Sequence, residues 1–122
     1  MEILKERREL RERVLREARE WASSLSYKAT VVLVGSYARG DFNLWSDVDL
    51  ILVSDFKGNP IERLRTIRSP PGYEVIPLTP EEFMEQADRR NPLVLEAICK
   101  GIVLRDDYRL LDNESLRRKY CD

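Results

Sequence analysis

The sequence predicts an α/β (α+β) domain, a small mixed sheet with helices packed on it, on three observations. Thr30–Val34 and Val48–Val53 are short apolar runs rich in β-branched residues, the composition of strands buried on both faces. A long charged stretch with helical apolar spacing precedes them. Two helix starts of the type N-cap then Pro, Thr79-Pro80 and Asn91-Pro92, follow. The 122 residues suit one hydrophobic core, with no linker, repeat or low-complexity tract between them. The expected organisation is a single domain over 1–122: an N-terminal helix over 1–26, a core over 30–105, and a C-terminal tail or helix over 106–122.

Each element has its own local reason. Residues 2–25 place Ile3, Leu10, Val14, Ala18, Trp21 and Leu25 at spacings of three, four or seven, one face of a helix. Glu9 with Arg13 and Glu12 with Arg16 form i, i+4 pairs in the favourable order, and the other charges read as a solvated face. Gly35 and Ser36 turn the chain after the first strand, and residues 36–40 (SYARG) make a short helix closed by Gly40. A loop over 41–46 leads to the second strand. Residues 54–71 contain Gly58, Pro60, Pro70 and Pro71 and read as a polar loop with a helical turn near Ile61–Ile67. Tyr73–Leu78 is a third strand. Thr79, with Glu82 three residues on, forms a capping box for a helix running to about Arg89. Asn91 caps another that Gly101 ends; Ile102–Leu104 is short enough for an edge strand, and Asn113 caps a last helix reaching Tyr120.

Composition excludes several chemistries. Histidine is absent, so no histidine general base, Ser-His-Asp triad or His-ligated zinc exists in this chain. The two cysteines are Cys99, within an apolar helical pattern, and Cys121, the penultimate residue; the expectation is neither a disulfide framework nor a metal cluster. A formal net charge of −1 argues against a protein that coats nucleic acid. The apolar runs are too short to span a bilayer and the charged N-terminus lacks the apolar region of a signal peptide, so the expectation is a reduced, cytoplasmic protein with no membrane partner.

Chemistry concentrates in residues 31–53. Asp47 and Asp49, spaced i, i+2 at the start of a strand, point their carboxylates the same way, a repulsive arrangement that a divalent cation between them relieves. Asp49 is followed by Leu50, Ile51, Leu52 and Val53, and an unpaired carboxylate is costly in such a run. Glu74, flanked by Tyr73, Val75 and Ile76, is the candidate third carboxylate, with a surface-facing edge residue as the alternative. The Gly35-Ser36 turn offers backbone N–H groups and a hydroxyl to a phosphate, or is an ordinary strand-ending turn. Ser46 either caps the loop before Asp47 or does nothing. Tyr37, Phe42 and Trp45 either stack on a base or cover the core. Lys57, Arg63, Arg65 and Arg68 are either a triphosphate clamp or, the stronger reading, a solvated loop.

Taken together, residues 35–53 resemble the signature of the nucleotidyltransferase superfamily that includes DNA polymerase β and kanamycin nucleotidyltransferase. The run Gly35-Ser36-Tyr37-Ala38-Arg39-Gly40, then Ser46-Asp47-Val48-Asp49-Leu50, is most similar to the minimal nucleotidyltransferases, and a looser similarity extends from Tyr73–Phe83 to Gly101–Arg105. The resemblance implies a polymerase β palm-like fold, with Asp47, Asp49 and Glu74 as catalytic metal ligands for two Mg²⁺ ions and ATP as donor. It also implies that Gly35 and Ser36 hold the nucleotide phosphates and that Arg39 lies near them or braces the loop through a salt bridge. Many members carry Asp where this chain has Glu74, and the helical acceptor-gripping domain of larger members has no counterpart here. Minimal nucleotidyltransferases resemble antitoxins paired with small helical HEPN ribonuclease toxins, so the implied activity is transfer of AMP to such a protein partner. The alternatives are an antitoxin acting by binding alone, and transfer to a small molecule or nucleic-acid end; a homo-oligomer also fits.

Overall fold

In the computed structural model, which describes residues 2–121, the chain runs α1 (Glu2–Ser24), β1 (Thr30–Val34), α2 (Gly35–Arg39), β2 (Val48–Val53), α3 (Pro60–Thr66), β3 (Tyr73–Leu78), α4 (Pro80–Asp88), α5 (Pro92–Cys99), β4 (Ile102–Asp106) and α6 (Glu114–Tyr120). The strands form one mixed sheet in the order β3-β2-β1-β4. β1 lies antiparallel to both β2 and β4, and β2 runs parallel to β3. A parallel pair needs a crossover rather than a hairpin, and the segment carrying α3 supplies it. β4 is an edge strand, as its length predicts.

The continuous apolar character of β1 and β2 follows from burial on both faces. Val31, Leu33, Leu50 and Leu52 pack with Ala18 and Ala22 of α1, while Val32, Val34, Ile51 and Val53 pack under Phe83, Ala87, Val94, Ala97 and Ile98 of α4 and α5. The capping box forms as the spacing predicts: the Thr79 side chain accepts from the Glu82 N–H, and Glu82 accepts from the Thr79 N–H at 2.8 Å.

Five local expectations need correction. Ile3 leaves the apolar face of α1 and is 72% exposed. The charged face of that helix is more than a solvated surface: Arg11 donates to the carbonyls of Tyr37 (2.8 Å) and Ala38 (3.1 Å), and Arg7 to that of Gly40 (3.2 Å), capping α2. On α1, Glu9 faces Lys5 at 4.0 Å rather than Arg13. Arg63 belongs neither to a mobile clamp nor to a solvated loop; it is buried, forks onto the Glu82 carboxylate at 2.5 and 3.2 Å, and also donates to the carbonyls of Gly58 and Pro77. It staples α3 to the start of α4.

The cysteines are the fifth. Cys99 and Cys121 form a disulfide, with Cα atoms 5.6 Å apart. The sequence places them at the ends of separate helices, and only the packing of α6 on α5 brings those ends together. This pair departs from the fully reduced chain that the sequence suggests. Among the described residues no helix is long and apolar enough to cross a membrane.

Candidate active site

β1 delivers the chain to Gly35, which begins α2 with φ +78°, a conformation that L side chains rarely adopt. In the antiparallel register Val34 faces Asp49, and a Cβ added at Gly35 would collide with the Asp49 carboxylate. Only glycine lets the backbone pass this close to the acid. On the other side of β2, the parallel register sets Glu74 directly opposite Asp49. Alternation along the strands puts Asp49 on the face of Ile51 and Val53, and Glu74 on the face of Ile76 and Leu78, the side covered by α4 and α5. Asp47 precedes β2 by one residue. The three predicted acids therefore gather at one end of β2 and β3, beside the Gly35-Ser36 turn.

Electrostatics sets Asp49 apart. It is half-buried, and its carboxyl is pushed up to about 6, first by burial and then by the negative charges of Glu74 and Asp47. Asp47 and Glu74 themselves are exposed. Among the described residues no group of three acidic, histidine or cysteine side chains is already drawn together tightly enough to hold a metal ion. The kind of ligand nevertheless suits a hard cation: three carboxylates, one strained by the others' charge and backed by a glycine that leaves no room for a side chain. Positive charge placed among them would relieve that strain.

The turn itself is held by a residue that the sequence reading passed over. Glu96, on α5, accepts the Gly35 N–H at 2.8 Å with one carboxylate oxygen and the Arg39 guanidinium at 2.8 Å with the other. Arg39 reaches Asp41 as well, at 3.3 Å. Arg39 forms the salt-bridge brace that is one of the two roles the resemblance allows it. One signal could have found Glu96: it is an acid inside the apolar helix Leu93-Val94-Leu95-Glu96-Ala97-Ile98, the same anomaly that marks Asp49 in its strand.

The aromatic candidates separate. Tyr37 and Phe42 stack in the core with ring centroids 4.4 Å apart, whereas Trp45 is 89% exposed and its neighbour Leu44 81%. Ser46 caps the loop, its hydroxyl accepting the Asn43 N–H at 2.9 Å. A cavity of about 520 Å³ bordered by Tyr27, Phe56, Arg63 and Tyr108 lies at the far end of the sheet, where β2 ends, and takes no part in this site.

Comparison with known proteins agrees with the geometry. A family model described as a nucleotidyltransferase domain matches residues 12–98, taking in the second half of α1, which the motif resemblance leaves out, and stopping short of β4. A crystal structure from Sulfolobus solfataricus, itself assigned provisionally as a nucleotidyltransferase, is similar over 80% of this chain and 84% of its own, at 25% identity and a TM-score of 0.50. No curated protein matches the chain at a significant level. With the family model covering more than half of its length, and the Gly-Ser turn and Asp-x-Asp strand in register, the chain belongs to the nucleotidyltransferase domain family.

Proposed function

We propose that this nucleotidyltransferase transfers AMP from ATP to a hydroxyl of a protein partner, in a reaction that depends on Mg²⁺. The observation that carries the reading is the position of Asp49, packed against Gly35 on one side and paired in register with Glu74 on the other. Asp47, Asp49 and Glu74 would hold the cations, and the bound ions would supply charge neutralisation for the triphosphate and for the departing pyrophosphate. The acceptor hydroxyl gives up its proton to water as its oxygen attacks the α-phosphorus, a new P–O bond forms, and the bond to pyrophosphate breaks, the electron pair leaving with pyrophosphate. Gly35, which lies against Asp49, and Ser36 would line the path of the phosphates, with the Ser36 hydroxyl as donor. Glu74 stands exposed on the edge strand β3, so an acceptor can enter from that side without disturbing the sheet.

A small helical protein of the HEPN toxin type is the partner we favour, since the chain offers little wall of its own around an acceptor. Incubation with labelled ATP, Mg²⁺ and such a partner should transfer label to the partner and lose it in Asp47→Asn and Asp49→Asn. Equal labelling by either variant would remove the acids from the reaction.

One observation favours a second reading, neutralisation of the partner by contact alone. Ile3 and Leu44 are both strongly exposed and border one largely apolar groove with Leu10 and Phe42, rimmed by Glu6, Arg7 and Asn43, and Trp45 follows Leu44 in the chain. A partner that stays inhibited by the Asp47→Asn/Asp49→Asn double variant, but is released by Leu44→Asp with Trp45→Ala, would support that reading.

A further inference from the structure

The loop that must receive the nucleotide has no sheet partner of its own. It is a single short helix, α2, between β1 and a polar loop, and Gly35 at its start has the freedom of a residue without a Cβ, held at φ +78°. One side chain ties both ends of that helix to the body of the protein. Glu96 is only 14% exposed; its two oxygens reach the first residue of α2 through the Gly35 N–H and the last residue through Arg39, each at 2.8 Å. From the opposite side Arg11 holds the carbonyls of Tyr37 and Ala38. The helix is thus gripped from above by α5 and from below by α1.

A carboxylate this buried, within reach of the negative Asp49, is costly unless it is paired, and its pairing is complete only with α2 in place. Charge-assisted bonds to an N–H and to a guanidinium are the stronger kind, and two of them on one rigid helix fix position as well as orientation. Because α5 is itself locked into the core by Val94, Ala97 and Ile98, the grip transmits the geometry of the core to the turn.

We propose that Glu96 is a positioning residue for the donor nucleotide: by clamping Gly35 and Arg39 it holds the Gly35-Ser36 turn at the distance from Asp49 that the phosphates require, without touching the reacting atoms. The inference rests on the nucleotidyl-transfer reading above and adds to it a residue outside the three acids. Arg39 then acts through Glu96 rather than on the phosphates; breaking their ion pair from either side has the same effect, and removing Glu96 altogether costs more because the Gly35 N–H loses its acceptor as well.

The test compares wild type, Glu96→Gln, Glu96→Ala and Arg39→Gln in two measurements. The first is the amide proton shift of Gly35 by NMR in the nucleotide-free protein. Glu96→Ala should move it strongly upfield, and Glu96→Gln, which keeps one acceptor oxygen, should move it little. The second is the Kd for a non-hydrolysable ATP analogue in Mg²⁺. It should rise about tenfold in Glu96→Ala and about threefold in Glu96→Gln and in Arg39→Gln, with the Glu96→Gln/Arg39→Gln double variant close to either single one. An unchanged Kd in Glu96→Ala, or tighter binding, would overturn the positioning role and leave the nucleotidyl-transfer reading intact; tighter binding would mean that Glu96 competes with the phosphates. A wild type that binds no analogue would overturn the transfer reading, and the Gly35 shift would then decide separately whether Glu96 orders the turn. If Glu96→Ala fails to fold, Glu96→Gln and Arg39→Gln carry both measurements.

Discussion

Two half-buried carboxylates in this small protein meet opposite treatment. Glu82, at the start of α4, receives the Arg63 guanidinium and the Thr79 N–H, and the Arg63 bond above all holds its carboxyl below the usual range. Asp49, at the start of β2, has negative neighbours: burial, Glu74 and Asp47 push its carboxyl up to about 6. The first site is electrostatically complete and the second is short of positive charge. A charge that serves the fold is satisfied from within the chain, whereas one that serves chemistry is left for a ligand to satisfy. Each half of this contrast can be broken by substitution.

The largest effect belongs to the unsatisfied half. Asp49→Asn should lower nucleotidyl transfer by about 10³-fold, equivalent to about 4 kcal/mol of transition-state stabilisation, measured as label transferred per folded molecule. The same variant should keep its melting temperature or raise it, because it removes a charge that the ligand-free protein holds at a cost. Loss of both activity and stability would mean that Asp49 is a structural residue after all.

On the satisfied side, Arg63→Ala should cost about 3 kcal/mol of stability, since it leaves a carboxylate and the Pro77 carbonyl without their partner. Activity per folded molecule should be unchanged, because the Arg63 staple lies at the far end of the sheet from Asp49. Denaturant unfolding and a transfer assay together read both outcomes. Asp106→Ala is a smaller version of the same test. Its carboxylate accepts from the Thr30 hydroxyl and from the N–H groups of Leu110, Leu111 and Asp112, fastening the turn before α6, and about 2 kcal/mol should be lost.

How legible each half was in the sequence follows the same division. Asp49 stood out because an acid inside Val48–Val53 contradicts the strand around it, and local contradiction is visible in one dimension. The Thr79–Glu82 capping box was legible because it closes within four residues. The Arg63 partner was not: the bridge spans 19 residues and depends on the β2–β3 crossover returning α3 to α4. The pairing of β4 with β1 and the Cys99–Cys121 bridge were hidden for the same reason, each being set by which element packs beside which. Glu96 lies between the two cases. Its misfit in an apolar helix was visible, but its partners, 57 and 61 residues away, were not.

The smallest effect sharpens the comparison most, because it reads the missing charge directly. The folded carboxyl of Asp49 at about 6 lies above its ordinary value of 3.8, so between these two pH values the folded protein binds more protons than the unfolded one. The contribution of Asp49 to stability is therefore fully present below pH 3.8 and is lost as pH rises through about 6. Glu82 runs the other way: its lowered carboxyl contributes stability at neutral pH that is lost only in acid. Subtracting wild type from Asp49→Asn cancels Glu82 and isolates the term. The difference in unfolding free energy should grow from near zero at pH 4 to about 1 kcal/mol at pH 7, the full shift being reduced because Asp49 remains partly solvated. Millimolar Mg²⁺ should then stabilise wild type at pH 7 and leave Asp49→Asn nearly unmoved, reversing the sign of the difference. A difference that stays flat from pH 4 to 7 would mean that Asp49 carries no unmet charge, and one that falls with rising pH would place it in the same class as Glu82; either would dissolve the contrast between the two sites.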